Sequence, residues 1–114
     1  MRYLLLIYGN EAAGADMTPT DLEAEMAAYN AFGRDAHDHI LSGDALLPTN
    51  TATTVRVRDS QTLITDGPFA ETKEQLGGFY LVECANLDEA IALGAKIPGA
   101  THGSIEVRPV MTFE

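Results

Sequence analysis

The sequence predicts an α+β sandwich, with a mainly antiparallel sheet threaded in the order β–α–β–β–α–β and an extra hairpin between the two halves. Three observations carry this. Two amphipathic helical segments are each bracketed by strand-like runs. A clean Val/Thr/Arg alternation sits between them. The first strand, Tyr3–Tyr8, is apolar at both parities. A βαβ unit on each side of a hairpin gives a ferredoxin-like arrangement, with both helices on one face of the sheet. The chain has 114 residues, enough for one domain, residues 1–114, that buries about two-thirds of its unfolded surface. Nothing is left over to cover the second face of the sheet. A second copy is the economical cover, so a homodimer packed sheet to sheet is expected.

Each element has a local reason. Arg2–Tyr8 is the first strand and Gly9–Met17 a loop. Thr18-Pro19-Thr20-Asp21 opens the first helix, with Thr18 as N-cap, Pro19 in the first turn and an acid three residues on. The helix is expected to run to Ser42 and stop at Gly43, with Leu22, Met26, Tyr29, Gly33, Ala36 and Ile40 on one face. Gly33 costs about 1 kcal/mol against Ala in mid-helix, and reads either as a close approach to the sheet or as a kink. Ala45–Leu47 is a short extended piece. Thr53–Arg58 and Thr62–Thr65 form the hairpin around Asp59-Ser60-Gln61. Gly77–Cys84 is a strand, Asn86-Leu87-Asp88-Glu89 caps a helix through Ile97, and Ser104–Val110 is the last strand.

Composition narrows function. Seventeen acids against seven bases give a net charge of −10 and a pI near 4.5. That argues against nucleic acid and against an anionic membrane surface, since both select Lys and Arg. A single cysteine forms no internal disulfide. The apolar start is too short for a membrane span or a signal core, so a cytoplasmic protein is expected.

The segment Asp66-Gly67-Pro68-Phe69-Ala70-Glu71-Thr72-Lys73-Glu74-Gln75-Leu76-Gly77-Gly78-Phe79-Tyr80, preceded by Thr51-Ala52-Thr53-Thr54-Val55-Arg56, closely resembles the YCII-related proteins that carry the DGPF motif. The resemblance extends over essentially the whole chain. It implies a dimeric α+β barrel. It also implies either small enzymes, by likeness to muconolactone isomerases and cofactor-free monooxygenases, or stress and regulatory proteins encoded beside extracytoplasmic-function sigma factors. One branch of the family has a suspected His–Asp active pair. Its histidine falls within Glu25–Tyr29, where this chain has none, and its aspartate corresponds to Asp44.

The Asp66–Gly78 loop is the leading site candidate, with turn chemistry at Asp66-Gly67-Pro68 followed by Phe69, Glu71 and Lys73. It reads either as a ligand-contacting loop or as one that closes the barrel and grips the partner. Arg56 and Arg58 share a strand face that suits a small anion, or pair across strands with Glu83 or Glu106. Tyr80 lines a cleft or fills the core. On a helix, His37 and His39 diverge by about 200°, so they share no metal ion, while His39 follows Asp35 by four positions and reads either as half of a carboxylate–imidazole pair or as part of a solvated surface. No metal or cofactor is expected. Cys84 reads as a small buried hydrophobe. His102 lies in a Gly-flanked loop. Residues 11–50 hold eight acids and one base, either a solvated helix face or a surface for a basic protein such as a sigma factor.

The expected function is binding of a small molecule between the sheet and the 66–78 loop. Cofactor-free acid/base chemistry would draw on Asp66 and His39, with Arg56, Phe69, Glu71, Lys73, Tyr80 and Asp44 lining the pocket. The alternative is a non-catalytic regulator acting with a sigma factor.

Overall fold

A computed structural model describes residues 1–113. Strand β1 (Arg2–Gly9) lies at the centre, antiparallel to β5 (Gln75–Glu83) on one side and to β6 (Ser104–Pro109) on the other. β2 (Ile40–Ala45) pairs with the outer edge of β5, giving the order β2-β5-β1-β6. This is the ferredoxin-like α+β arrangement the sequence predicts. Helix α2 (Pro19–Asp35) follows β1, and α3 (Leu87–Ala95) joins β5 to β6. The hairpin strands β3 (Thr53–Arg58) and β4 (Gln61–Asp66) form a separate two-stranded sheet.

The core follows the register. Tyr3 and Leu5 of β1 sit beside Val82 of β5 and Cys84 just beyond it, under Phe32 of α2, its C-cap Ala36, and Ala90, Leu93 and Ile97 from the α3 side. Leu5 is wholly buried. By the same register Leu4, Leu6, Phe79 and Leu81 occupy the opposite face, away from both helices.

Helix starts obey their caps. Thr18 Oγ1 accepts from the Asp21 N–H at 3.1 Å, and Asp21 Oδ2 accepts from the Thr18 N–H at 3.1 Å. Asn86 Oδ1 accepts from the Glu89 N–H at 2.9 Å, and Glu89 Oε1 from the Ala85 N–H at 3.0 Å. The expected loop at Gly9–Met17 contains a single helical turn, α1 (Glu11–Gly14), because Asn10 Oδ1 accepts from the N–H groups of Ala12 and Ala13.

The first helix ends earlier than its periodicity predicts. It stops at Asp35, and Ile40–Ala45 is the edge strand β2, not the last turns of a helix. The cause is β5, whose outer edge needs a partner. The Glu83 N–H donates to the His39 carbonyl at 2.8 Å, and Ile40 then pairs with Val82. Gly43 is therefore a strand residue rather than a helix stop. A Cβ there would lie 2.7 Å from the Phe79 carbonyl and from the Tyr80 ring. Neither His37 nor His39 is on the helix. Gly33 makes no close approach to the sheet, since a Cβ would meet nothing within 4 Å. The extended piece expected at Ala45–Leu47 is the tail of β2; Leu46 adds one bond to the Gly77 carbonyl.

The β3–β4 hairpin turns through Asp59 and Ser60, whose φ values of 52° and 62° are those of a type I′ turn. Val55, Val57 and Ile64 remain exposed on it. It is tied back by the Gly67 N–H to the Ala52 carbonyl at 2.7 Å and by Thr54 Oγ1 to the Gly67 carbonyl at 2.8 Å. β3 pairs only with β4, so Arg56 and Arg58 do not meet Glu83 or Glu106 across strands; Arg56 faces Leu63. The molecule measures 47 × 47 × 19 Å. Its radius of gyration is 16.1 Å, against about 13 Å for a compact chain of this length. It is a flat two-layer body with a projecting arm.

Candidate functional site

Between α2 and the sheet the packing is uneven. Phe32 and Ala36, at the helix C-terminal end, are buried, whereas Leu22 and Met26, nearer its start, are exposed. The gap beneath them is a cleft of about 1110 Å³. Its floor is low because Gly43, Gly78 and Ala45 present almost no side chain, and Gly78 lets the Asp44 carbonyl approach within 2.9 Å of where a Cβ would stand. Ile7 and Tyr80 complete the floor, with α1 and the first half of α2 as walls.

The rim is fixed by one carboxylate. Glu11 Oε1 accepts from the Thr49 N–H and Oε2 from the Thr49 hydroxyl, both at 2.8 Å, while the Glu11 N–H donates to Gln75 Oε1 at 3.0 Å. α1, the segment after β2 and the start of β5 are thereby joined.

Four groups give the cleft its chemistry. Glu25 of α2 and His102, just after the turn Pro98–Thr101, approach to 3.9 Å between Oε1 and Nε2, an ion pair when the imidazole is protonated. Tyr29 lies one helical turn after Glu25. Burial raises its phenol above the ordinary 10.0 and the Glu25 charge adds to this, while a hydrogen bond from the Gly99 backbone opposes it. Burial also raises the Tyr80 phenol, whose ring packs on Phe32 at 5.1 Å between centroids. Both phenols stay protonated at neutral pH, so each keeps an O–H able to donate. The pair beside them supplies a base and its partner.

The residues singled out in the sequence divide. Tyr80 and Asp44 line the cleft, with Gln75, Gly77 and Gly78 from the end of the 66–78 loop. The register pairs Asp44 with Phe79, so its side chain leaves the sheet on the face opposite Tyr80, away from the cleft. Asp66, Arg56, Phe69, Glu71 and Lys73 lie outside the cleft. Asp66 ends β4 opposite Thr53, Arg56 is on the arm, and Phe69, Glu71 and Lys73 are exposed, Phe69 at 81%. His39 is also elsewhere. Its Nδ1 is 2.9 Å from the Glu83 carbonyl and 3.6 Å from Glu89 Oε1, so its carboxylate neighbour is Glu89 rather than Asp35.

Comparison with known proteins settles the lineage. The profile of the YCII-related domain matches residues 1–114. This chain belongs to the YCII-related family. An uncharacterised protein from Rhizobium meliloti (strain 1021) is 38% identical over 118 residues, covering 100% of this chain and 95% of the relative. Among solved structures, the chain is similar in fold to the 5-chloro-2-hydroxyhydroquinone dehydrochlorinase TftG of Burkholderia phenoliruptrix, in complex with 2,5-dihydroxybenzoquinone. The TM-score is 0.53 at 16% identity, over 97% of this chain and 94% of that one. No helix among the described residues is long and apolar enough to cross a membrane.

Glu25, Tyr29 and His102 of this YCII-related protein carry no motif that marks them. Glu25 and Tyr29 share a helix face legible from their spacing, but His102 reaches them only through the fold of the turn after α3.

Proposed function

We propose that this YCII-related protein binds a small, largely apolar organic molecule in the cleft under α2 and moves a proton on it without a cofactor. The observation that carries the reading is the glycine-lowered floor, with a carboxylate–imidazole pair and two protonated phenols converging on the same space. In an isomerisation, His102 or Glu25 takes a proton from carbon next to a carbonyl. Tyr29 and Tyr80 donate hydrogen bonds to the enolate oxygen, and the proton returns at another carbon. The pocket reading is favoured over a purely regulatory one because a cleft and displaced phenols occur together.

A thermal-shift screen tests it, starting with 2,5-dihydroxybenzoquinone, the ring held by the structural neighbour, and related hydroxylated rings. A hit is expected to lose its shift in Tyr80→Phe and Glu25→Gln and to keep it in Asp66→Ala. Loss only in Asp66→Ala would move the site to the 66–78 loop.

A second copy packed on the open sheet face belongs to the same proposal. The 19 Å thickness and the apolar row Leu4, Leu6, Phe79 and Leu81 support it. Sedimentation equilibrium is expected to give a dimer, and Leu81→Glu a monomer. A parent protein that sediments as a monomer at micromolar concentration removes this part.

A further inference from the structure

Beyond the C-terminal end of α2, at the other end of the helix layer from the cleft, three different metal-ligating side chains meet. One ligand atom each from His39, Cys84 and Glu89 lies within 4.8 Å of the other two. They come from the turn after α2, the end of β5 and the first turn of α3, so the fold assembles them and no local motif does. Cys84 is buried; the His39 and Glu89 side chains are 38% and 42% exposed.

Two of the three are already held. Glu89 Oε1 accepts from the Ala85 N–H. The Cys84 backbone is clamped to Met1 from both sides, its N–H to the Met1 carbonyl and its carbonyl to the Met1 amine, each at 2.9 Å. Such supports are what orient ligands in a metal site. From zinc–ligand lengths of about 2.0–2.3 Å, neighbouring ligand atoms around a tetrahedral ion stand about 3.5 Å apart. His39 Nδ1 and Glu89 Oε1 are at that separation, 3.6 Å, and Nδ1 binds the ion by giving up its contact with the Glu83 carbonyl, the ring then carrying its proton on Nε2.

We propose that His39, Cys84 and Glu89 bind one zinc ion, with water in the fourth position on the side of the groove between α2 and α3. One thiolate and one carboxylate balance the charge of the ion. A sulfur ligand selects zinc over magnesium or calcium, which take oxygen. Asp35 and Lys96 border the same groove, of about 610 Å³, and face whatever replaces the water. Binding forms the Zn–S bond and releases the thiol proton to buffer, so uptake is coupled to pH.

The test is a zinc titration of chelator-stripped protein by calorimetry, with cobalt substitution to report the ligands by spectrum. One zinc per chain is expected, with a near-ultraviolet thiolate-to-cobalt band. Cys84→Ala, which keeps a small apolar group in the core, and His39→Ala should each weaken zinc at least ~100-fold, more than loss of a supporting contact does. Glu89→Gln, which can still accept from Ala85, should weaken it about tenfold. Circular dichroism confirms that each variant is folded. Folded Cys84→Ala or His39→Ala binding zinc within threefold of the parent overturns the site, as does a cobalt complex without the thiolate band.

Discussion

The two ends of α2 meet the same sheet and do opposite work. At its C-terminal end Phe32 and Ala36 close onto Tyr3, Leu5 and Val82 with no room for solvent. Nearer the N-terminus Leu22 and Met26 stand over Gly43 and Gly78 with an open cleft between. The sheet supplies Tyr3, Leu5 and Val82 under one end, whereas under the other Gly43, Ala45 and Gly78 leave space beside Ile7 and Tyr80. A helix held firmly at one end can hang over a cavity at the other, so stability and binding are separated along one element.

Substitutions can break this contrast directly. Leu5→Ala, at the packed end, should lower unfolding free energy by about 3 kcal/mol through lost burial and a cavity, measured by chemical denaturation. Gly43→Val, on the cleft floor, should cost about 2 kcal/mol, because the new side chain meets Phe79 backbone and the Tyr80 ring. It should also abolish ligand-induced thermal shifts. Gly33→Ala should raise stability by about 0.5–1 kcal/mol, since open space surrounds the position and alanine is the better helix former. Met26→Ala, over the cleft, should change stability by no more than about 0.5 kcal/mol, its side chain being 67% exposed. A loss at Met26 equal to that at Leu5 would mean the cleft is closed in solution.

Alkali sharpens the same contrast. The Tyr29 and Tyr80 phenols titrate higher in the folded chain than their ordinary 10.0. The unfolded chain therefore gives up these protons first. The stability they contribute is complete below pH 10 and is lost as pH rises through the folded values. Tyr29→Phe combined with Tyr80→Phe should flatten this alkaline decline, read as the shift of the denaturation midpoint with pH.

Local chemistry was legible in the sequence. Thr18 and Asn86 announce their caps, and the Val/Thr/Arg alternation announces a hairpin, because these signals act within a few residues. The end of α2 was not legible. Its periodicity continues to Ile40, but the unpaired edge of β5 takes those residues into a strand, and that competition is tertiary. The candidate site divides on the same ground. Tyr80 and Asp44 line the cleft because they lie on β5 and β2, which form its floor. Asp66 and Arg56 belong to a hairpin that pairs only with itself, and Phe69 lies exposed in the loop after it. Glu25 and His102 are far apart in sequence and become neighbours only when the turn after α3 folds back over α2.

The plate-like outline has a practical consequence for how this protein is weighed. A disc with a side arm tumbles with more friction than a ball of equal mass. On a gel-filtration column one chain will elute early and imitate a heavier particle. Stoichiometry should therefore be taken from scattered light or equilibrium centrifugation, which report mass irrespective of contour.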